Sequence, residues 1–205
     1  MAAPPMLDLC QDSVDPRIRR TRALLQQALG KLLEIKEFDK ISVQHIAAAA
    51  SLNRATFYDH YTDKFSLLEC MVGTRFGELL TARGVHFDGG CASALRGMVQ
   101  GVCDYLASSP AAESERQLQM EPHLEAAVIA VVRRIMLQGL EQHPPAPGVS
   151  SEMLAATLSW AIYGAAKEWL RTPGRIPSEA VVDQIMSLVQ PVFAAAYAAP
   201  PDQSL

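Results

Sequence analysis

The stretch ISVQHIAAAASLNRATFYDHYTDKFSLL, residues 41–68, predicts three short helices separated by two breaks. Ser42 stands where the first of them begins, and residues 51–53 form the break that follows its alanines. A capped helix over 54–61 follows, and another begins at Lys64. A helix, a turn of about three residues and a second helix form a unit whose second helix projects from a compact support.

The apolar residues of this stretch can hold such a unit together; they are Ile46, Leu52, Phe57, Tyr61, Leu67 and Leu68. The remaining residues of the projecting helix are polar, small or able to form hydrogen bonds, and a core does not need them. A major groove about 12 Å wide accepts a helix with such a surface. The residues that remain are Arg54, Ala55, Thr56, Tyr58, Asp59 and His60.

Phosphate contacts are predicted around the projecting helix. Ser42 and Lys64 begin the flanking helices, where free backbone N–H groups and the positive helix end favour phosphate. Tyr58 and His60 can donate hydrogen bonds to phosphate oxygens. The other interpretation stays open at this point, because helix-turn-helix shapes also occur in proteins that do not touch DNA. Tyr58 is then a half-buried aromatic residue and His60 a surface histidine.

Composition limits the possible classes of protein. The chain has 205 residues, 49% of them hydrophobic, but no apolar run of about 18 residues that could span a membrane. Its N-terminus lacks a basic segment before an apolar one, which predicts a cytoplasmic protein. The four cysteines, Cys10, Cys70, Cys91 and Cys103, show no C-x-x-C pair or metal-ligand spacing, so they are expected to be reduced and no metal is expected.

Charge is distributed unevenly along the chain, although the formal net charge is −4. Residues 16–75 hold ten Lys/Arg against six Asp/Glu, a surplus of four positive charges. Residues 76–205 hold eight against thirteen, a surplus of five negative charges. This asymmetry indicates an anion-binding end joined to an ordinary solvated end.

The rest of the chain also has helical periodicity, and no segment has the alternation of a strand. An opening helix enters through Pro16 and closes near Lys36. The fourth helix runs from Lys64 to about Arg83. Further helices are predicted at about 91–107, 120–141, 150–171 and 177–199.

The motif FDKISVQHIAAAASLNRATFYDHYTDKFSLLECM resembles the DNA-binding domain of the TetR family of bacterial regulators, over residues 16 to 70. The resemblance implies an all-α fold of about nine helices. A three-helix helix-turn-helix DNA-binding domain covers 16–64, and a larger ligand-binding and dimerisation domain covers 65–199. Residues 1–15 and 200–205 are expected to be flexible tails.

The resemblance also implies roles for individual residues. Arg54, Ala55 and Thr56 stand where family members contact base edges. Asn53, which the sequence pattern predicts as the cap of this helix, is also a predicted DNA-binding residue. Tyr58, His60, Ser42 and Lys64 stand where phosphate contacts are usual.

Two positions depart from the family pattern. Ser51 replaces a common glycine, which costs about 1 kcal/mol if its φ is positive. Asp59 places a carboxylate beside DNA, where it either accepts from a cytosine amino group or faces solvent.

The last two long helices are apolar on two faces each, which requires two partners. One partner is the chain's own core, and the other is predicted to be a second copy, as the family resemblance also implies. A two-fold dimer then binds a palindromic operator. The predicted interface consists of Leu158, Ala161, Ala165, Ile185, Leu188, Val189 and Val192.

The middle helices are rich in methionine, which suits either a core or a pliable pocket for a small, uncharged or lipophilic ligand. The candidate pocket residues are Met98, Cys103, Met120, His123, Met136 and Trp160. His123 follows Pro122, so that it is predicted either to line the pocket or to cap a helix start. In the family, ligand binding in this domain changes the spacing of the two DNA-binding heads.

The sequence therefore predicts a homodimeric transcriptional repressor that a small molecule releases from double-stranded DNA. No nucleophile elbow, phosphate-binding glycine loop or HExxH motif supports an enzyme, and no cofactor other than an unidentified effector is expected. The alternative is a helical protein-interaction module with a vestigial helix-turn-helix.

Overall fold

The chain is described by a computed structural model that covers residues 15–85, 87, 89–108 and 115–198, without the side chains of 115–119. Within that part it forms eight α-helices, one 3-10 turn (Phe38–Lys40) and no strand, which confirms the all-α prediction. The helices are α1 Pro16–Ile35, α2 Val43–Ala49, α3 Arg54–Tyr58, α4 Lys64–Ala82, α5 Ala92–Ser108, α6 Glu115–Gln142, α7 Ser151–Arg171 and α8 Ser178–Ala195.

Local caps fix several of the helix starts. The carboxylate of Asp15 accepts from the Arg17 N–H at 2.8 Å, and Pro16 follows at the first helical position of α1. Asp15 was assigned to a flexible tail, and it is instead the N-cap of α1. The other residues of the predicted tails, 1–14 and 200–205, lie outside the described residues.

Two compact units divide the chain. Of the described residues, the first contains 15–75 and 115–128, and the second contains 76–85, 87, 89–108 and 129–198. The predicted boundary after Lys64 therefore does not coincide with the boundary between the units, which falls inside α4, and a segment of α6 belongs to the first unit.

The core of the first unit is built on the contacts of α1 with α2 and of α2 with α3. Leucines spaced four residues apart on α1 place one face of that helix inside the unit. The side chains below 2% exposure in this core include Leu25, Leu29, Ile46, Phe57, Leu67 and Leu68. Burial of this face, at about 1.5–3 kcal/mol for each large side chain, supports the short helices α2 and α3, which are too short to be stable alone.

In the second unit, α5 packs against α7 and α8, which also pack against each other. Its fully buried side chains include Leu95, Val102, Ile135, Ile162 and Val182. No described helix combines the length and the apolar character that crossing a membrane requires.

The cysteines differ from one another. Cys91 and Cys103 are free thiols, as expected, and burial raises the pKa of Cys103 to about 12. Cys70 is disulfide-bonded, so the expectation of a reduced thiol is wrong for this residue. The spacing of cysteines along the sequence does not reveal such a bond. Cys10 lies outside the described residues.

Candidate nucleic-acid interface

The turn between α2 and α3 has a defined hydrogen-bond pattern. The Leu52 N–H donates to the Ala47 carbonyl at 2.9 Å, and the Ser51 N–H donates to the Ala48 carbonyl at 3.1 Å. These are the two bonds of a Schellman motif, which places the residue after the helix cap in the left-handed region. Ser51 has φ +57° and is the one non-glycine residue with positive φ in the described part of the chain. The glycine-like conformation considered from the sequence is therefore confirmed.

Asn53 fixes the start of α3. Its side-chain oxygen accepts from the Thr56 N–H at 2.7 Å and from the Thr56 hydroxyl at 3.0 Å. The cap function predicted for Asn53 is confirmed, and the Thr56 hydroxyl is already engaged within the chain. Ala55 is exposed beside them. The short helix thus has a fixed direction before any partner binds.

Arg54 and Tyr58 form a pair on the exposed side of α3. One Arg54 guanidinium nitrogen donates to the Tyr58 hydroxyl oxygen at 3.1 Å, and the guanidinium carbon lies 5.4 Å from the centre of the Tyr58 ring. Both residues are exposed. Arg54, which is predicted to contact base edges, therefore lies against Tyr58, which is predicted to contact phosphates.

His60 and Asp59 follow at the end of α3. His60 is half-buried, and desolvation, followed by the charge of Arg22, lowers its pKa below the usual 6.5, while Asp59 acts in the opposite direction. A neutral imidazole still has one N–H to donate, so the predicted phosphate contact does not need a charged ring. Asp59 is exposed to solvent.

Ser42 and His45 together cap the start of α2, and the role of His45 was not predicted from the sequence. The Ser42 hydroxyl accepts from the His45 N–H, and the Ser42 N–H donates to His45 Nδ1, both at 3.2 Å. The spacing of a serine and a hydrogen-bonding side chain three residues later is the signal that identifies a capping box. Both side chains are exposed at the start of α2.

Lys64 has partners within the first unit. Its ammonium nitrogen donates to the carbonyls of Phe38 at 2.8 Å and Asp39 at 3.2 Å. It also lies 4.5 Å from the centre of the Phe38 ring and 5.5 Å from that of Phe65. Two of its three N–H donors thus join the start of α4 to the 3-10 turn. The phosphate contact of Lys64 stays a prediction that depends on the third.

His123 lies against the same 3-10 turn. Its Nε2 is 3.1 Å from the Asp39 carboxylate, and its ring centre lies 4.8 Å from that of Phe38 and 5.6 Å from that of Phe65. Pro122 is inside α6 and does not mark its start, so the cap function considered for His123 is wrong. Pro122 suggested that a helix starts nearby, but this proline lies within a longer helix that begins before it.

The other candidate pocket residues lie in different places. Met98, Cys103 and Met136 are fully buried in the second unit. Met120 is half-buried and belongs, like His123, to the first unit. Trp160 is exposed on α7, outside this buried interior, and its role in a pocket stays a prediction. The ligand-binding role of the remaining residues stays a prediction.

The helices α7 and α8 carry exposed apolar side chains: Met153 is 72% exposed, Trp160 59%, Leu188 68% and Val192 43%. Within the predicted dimer interface, Ala161 is also exposed and Ala165 is half-buried. The remaining members are already buried within the chain's own core; they are Leu158, Ile185 and Val189. The accessible part of the predicted interface is thus one apolar face of each helix.

The capped turn, the short exposed α3 and the support of α1 and α2 define a helix-turn-helix protein. No family model matches the chain. A curated relative, the uncharacterised HTH-type transcriptional regulator YxbF of Bacillus subtilis (strain 168), is 37% identical over 71 residues, which are 34% of this chain. The chain matches 19% of the length of that relative.

Solved structures extend the likeness to most of the chain. A TetR-family regulator from Streptomyces coelicolor superposes with a TM-score of 0.60 at 16% identity, over 89% of this chain and 99% of that one. NalD of Pseudomonas aeruginosa, the secondary repressor of the MexAB-OprM multidrug efflux pump, gives a TM-score of 0.44 at 17% identity, over 86% and 96%. The first superposition shows that this chain has the fold of TetR-family regulators, which confirms the resemblance predicted from residues 16 to 70.

Proposed function

We propose that this chain is a transcriptional regulator that binds a palindromic DNA operator as a homodimer through α3. The observation that carries the proposal is the exposed Arg54–Tyr58 pair on a helix whose start is fixed by Asn53. A guanidinium can form two hydrogen bonds with guanine in the major groove. The surplus of positive charge over residues 16–75 supports binding to a polyanion.

The first experiment is selection of duplexes from a randomised pool by the purified full chain. An enriched palindrome, with half-sites about one helical turn apart, supports the proposal. Fluorescence anisotropy then compares the selected duplex with a scrambled one. The Arg54→Ala variant is expected to lose about 1–3 kcal/mol of discrimination at one base position in each half-site. A vestigial helix-turn-helix would instead enrich no sequence and bind both duplexes equally weakly.

The proposed partner in the dimer is a second copy of the chain, bound through α7 and α8. Support comes from the exposed apolar side chains on both helices and from the need for two reading helices on a palindrome. Leu188→Asp is expected to shift the sedimentation coefficient from dimer to monomer, because it places a charge in an apolar interface. Gln190→Asp, at an exposed polar position of the same helix, is the matched control and should remain dimeric.

We further propose that the regulator is a repressor and that a small lipophilic molecule releases it from DNA. The buried, methionine-containing interior of the second unit, with Met98 and Met136, supports an apolar ligand. A panel of lipophilic compounds can be screened by thermal shift, and each hit is then added to the complex with the selected duplex. Release of DNA by a stabilising compound supports induction, and a reporter gene placed behind the operator gives the sign of regulation.

A further inference from the structure

We infer that Tyr58 is a positioning residue for Arg54, which makes the two side chains one recognition unit and Tyr58 a determinant of sequence specificity. This inference rests on the proposed DNA-binding function and adds to it a residue that acts on base selection through another. The sequence alone separates the two side chains into a base contact and a phosphate contact.

The Tyr58 ring has a fixed support. Its centre lies 5.5 Å from that of the Phe57 ring, in an edge-to-face arrangement, and Phe57 is completely buried in the first unit. Aromatic pairs in this geometry attract each other beyond the effect of buried area. The exposed phenol is therefore held by a side chain that belongs to the core.

The Arg54 guanidinium is in turn held by Tyr58. The guanidinium donates a hydrogen bond to the Tyr58 hydroxyl oxygen at 3.1 Å. The same group also forms a cation–π contact with the Tyr58 ring, whose centre is 5.4 Å from the guanidinium carbon. The two residues are four positions apart, so they meet on one side of the helix. A free arginine must lose most of its rotamer freedom on binding, and a side chain that is already ordered loses less.

This arrangement leaves the donors that recognition needs. A guanidinium has five N–H donors, and the bond to Tyr58 uses one of them. A bidentate contact with guanine uses two. The Tyr58 oxygen is an acceptor in this pair, so that its own O–H remains available to a phosphate oxygen.

The test uses the duplex that the wild-type chain selects and single base-pair changes in it. Arg54→Ala first identifies the base pair at which discrimination is lost. Tyr58→Phe, which keeps the ring and removes the oxygen, is expected to lower discrimination at that base pair by about two- to tenfold, the effect of one hydrogen bond. Discrimination at the other base pairs should not change. In the Arg54→Ala background the same substitution should have no effect on discrimination.

Arg54→Lys is the matched control, because it keeps the charge but cannot form the two parallel hydrogen bonds of a bidentate contact. It should lose discrimination at the same base pair while its affinity for the scrambled duplex stays near that of the wild type. Equal weakening of selected and scrambled duplexes by Tyr58→Phe would assign Tyr58 to phosphate alone and overturn the inference, as would no change at all. If the wild-type chain selects no duplex, the proposed function itself fails, which is a different result.

Discussion

Ser51→Gly is expected to stabilise the first unit by about 1 kcal/mol. At φ +57° the Cβ atom approaches the following carbonyl, which costs roughly 1–2 kcal/mol for an L-residue. Glycine removes this cost but adds freedom to the unfolded chain, an offset of about 0.4–1 kcal/mol. The backbone hydrogen bonds of the turn do not involve the side chain and should persist. For a chain of this length the net gain corresponds to a rise in Tm of about 2–4 °C.

The measurement is urea unfolding followed by two probes. Far-UV circular dichroism reports on every helix, whereas both tryptophans, Trp160 and Trp169, belong to the second unit. If the units unfold separately, Ser51→Gly should shift the circular dichroism transition of the first unit and leave the tryptophan fluorescence transition in place. If they unfold together, both transitions should shift to higher urea at unchanged slope.

Two control variants separate the conformational effect from other causes. Ser51→Ala keeps the Cβ atom, so it should give no comparable gain. Ala48→Gly, at an exposed position of α2, should destabilise the chain by about 0.5–1 kcal/mol. A Ser51→Gly variant that is destabilised like Ala48→Gly would refute the account of the turn, because it would show that the backbone at residue 51 carries no strain that glycine relieves.

The other predictions concern Lys64 and His60. Lys64→Met keeps the aliphatic stem but removes the donors to the Phe38 and Asp39 carbonyls. It should lower the free energy of unfolding, measured by urea titration, by about 1–3 kcal/mol. No change would show that the two hydrogen bonds contribute nothing to stability. Because the folded chain lowers the pKa of His60, the unfolded state binds more protons, so stability is expected to fall as the pH decreases from about 6.5 through the folded-state pKa. The His60→Gln variant should lack this part of the pH dependence, and identical pH profiles of the two proteins would contradict the assignment.

Most helix bounds follow from the sequence because their signals are local. Pro16 and the caps at Ser42 and Asn53 act within one turn, and the structure places helix starts directly at them. The start of α6 was predicted at residue 120, whereas the helix begins at Glu115. Proline is favoured in the first turn of a helix but can also occur further inside, and the residue pattern does not distinguish these cases.

The contacts that individual side chains make were harder to predict than the positions of the helices. The position of Lys64 at the start of a helix indicated a phosphate contact, but two nearby carbonyls already accept hydrogen bonds from it. Likewise, periodicity showed two apolar stripes on α7 and two on α8 without showing which one faces the core. The packing of the second unit buries Leu158 and Val189 and leaves Trp160 and Leu188 exposed. Choosing between two stripes of similar hydrophobicity requires the positions of the neighbouring helices.

The contribution of the Arg54–Tyr58 pair to stability is too small to account for its arrangement. An exposed pair one helical turn apart contributes about 0.2–0.5 kcal/mol. The cap at Asn53 is expected to contribute about 0.5–2 kcal/mol, and burial of Phe57 about 1.5–3 kcal/mol. Since those two residues hold α3 in place, the fold does not depend on an ordered arginine at its surface. Stability measurements therefore say little about the role of this pair, and the discrimination of single base pairs is the decisive measurement for it.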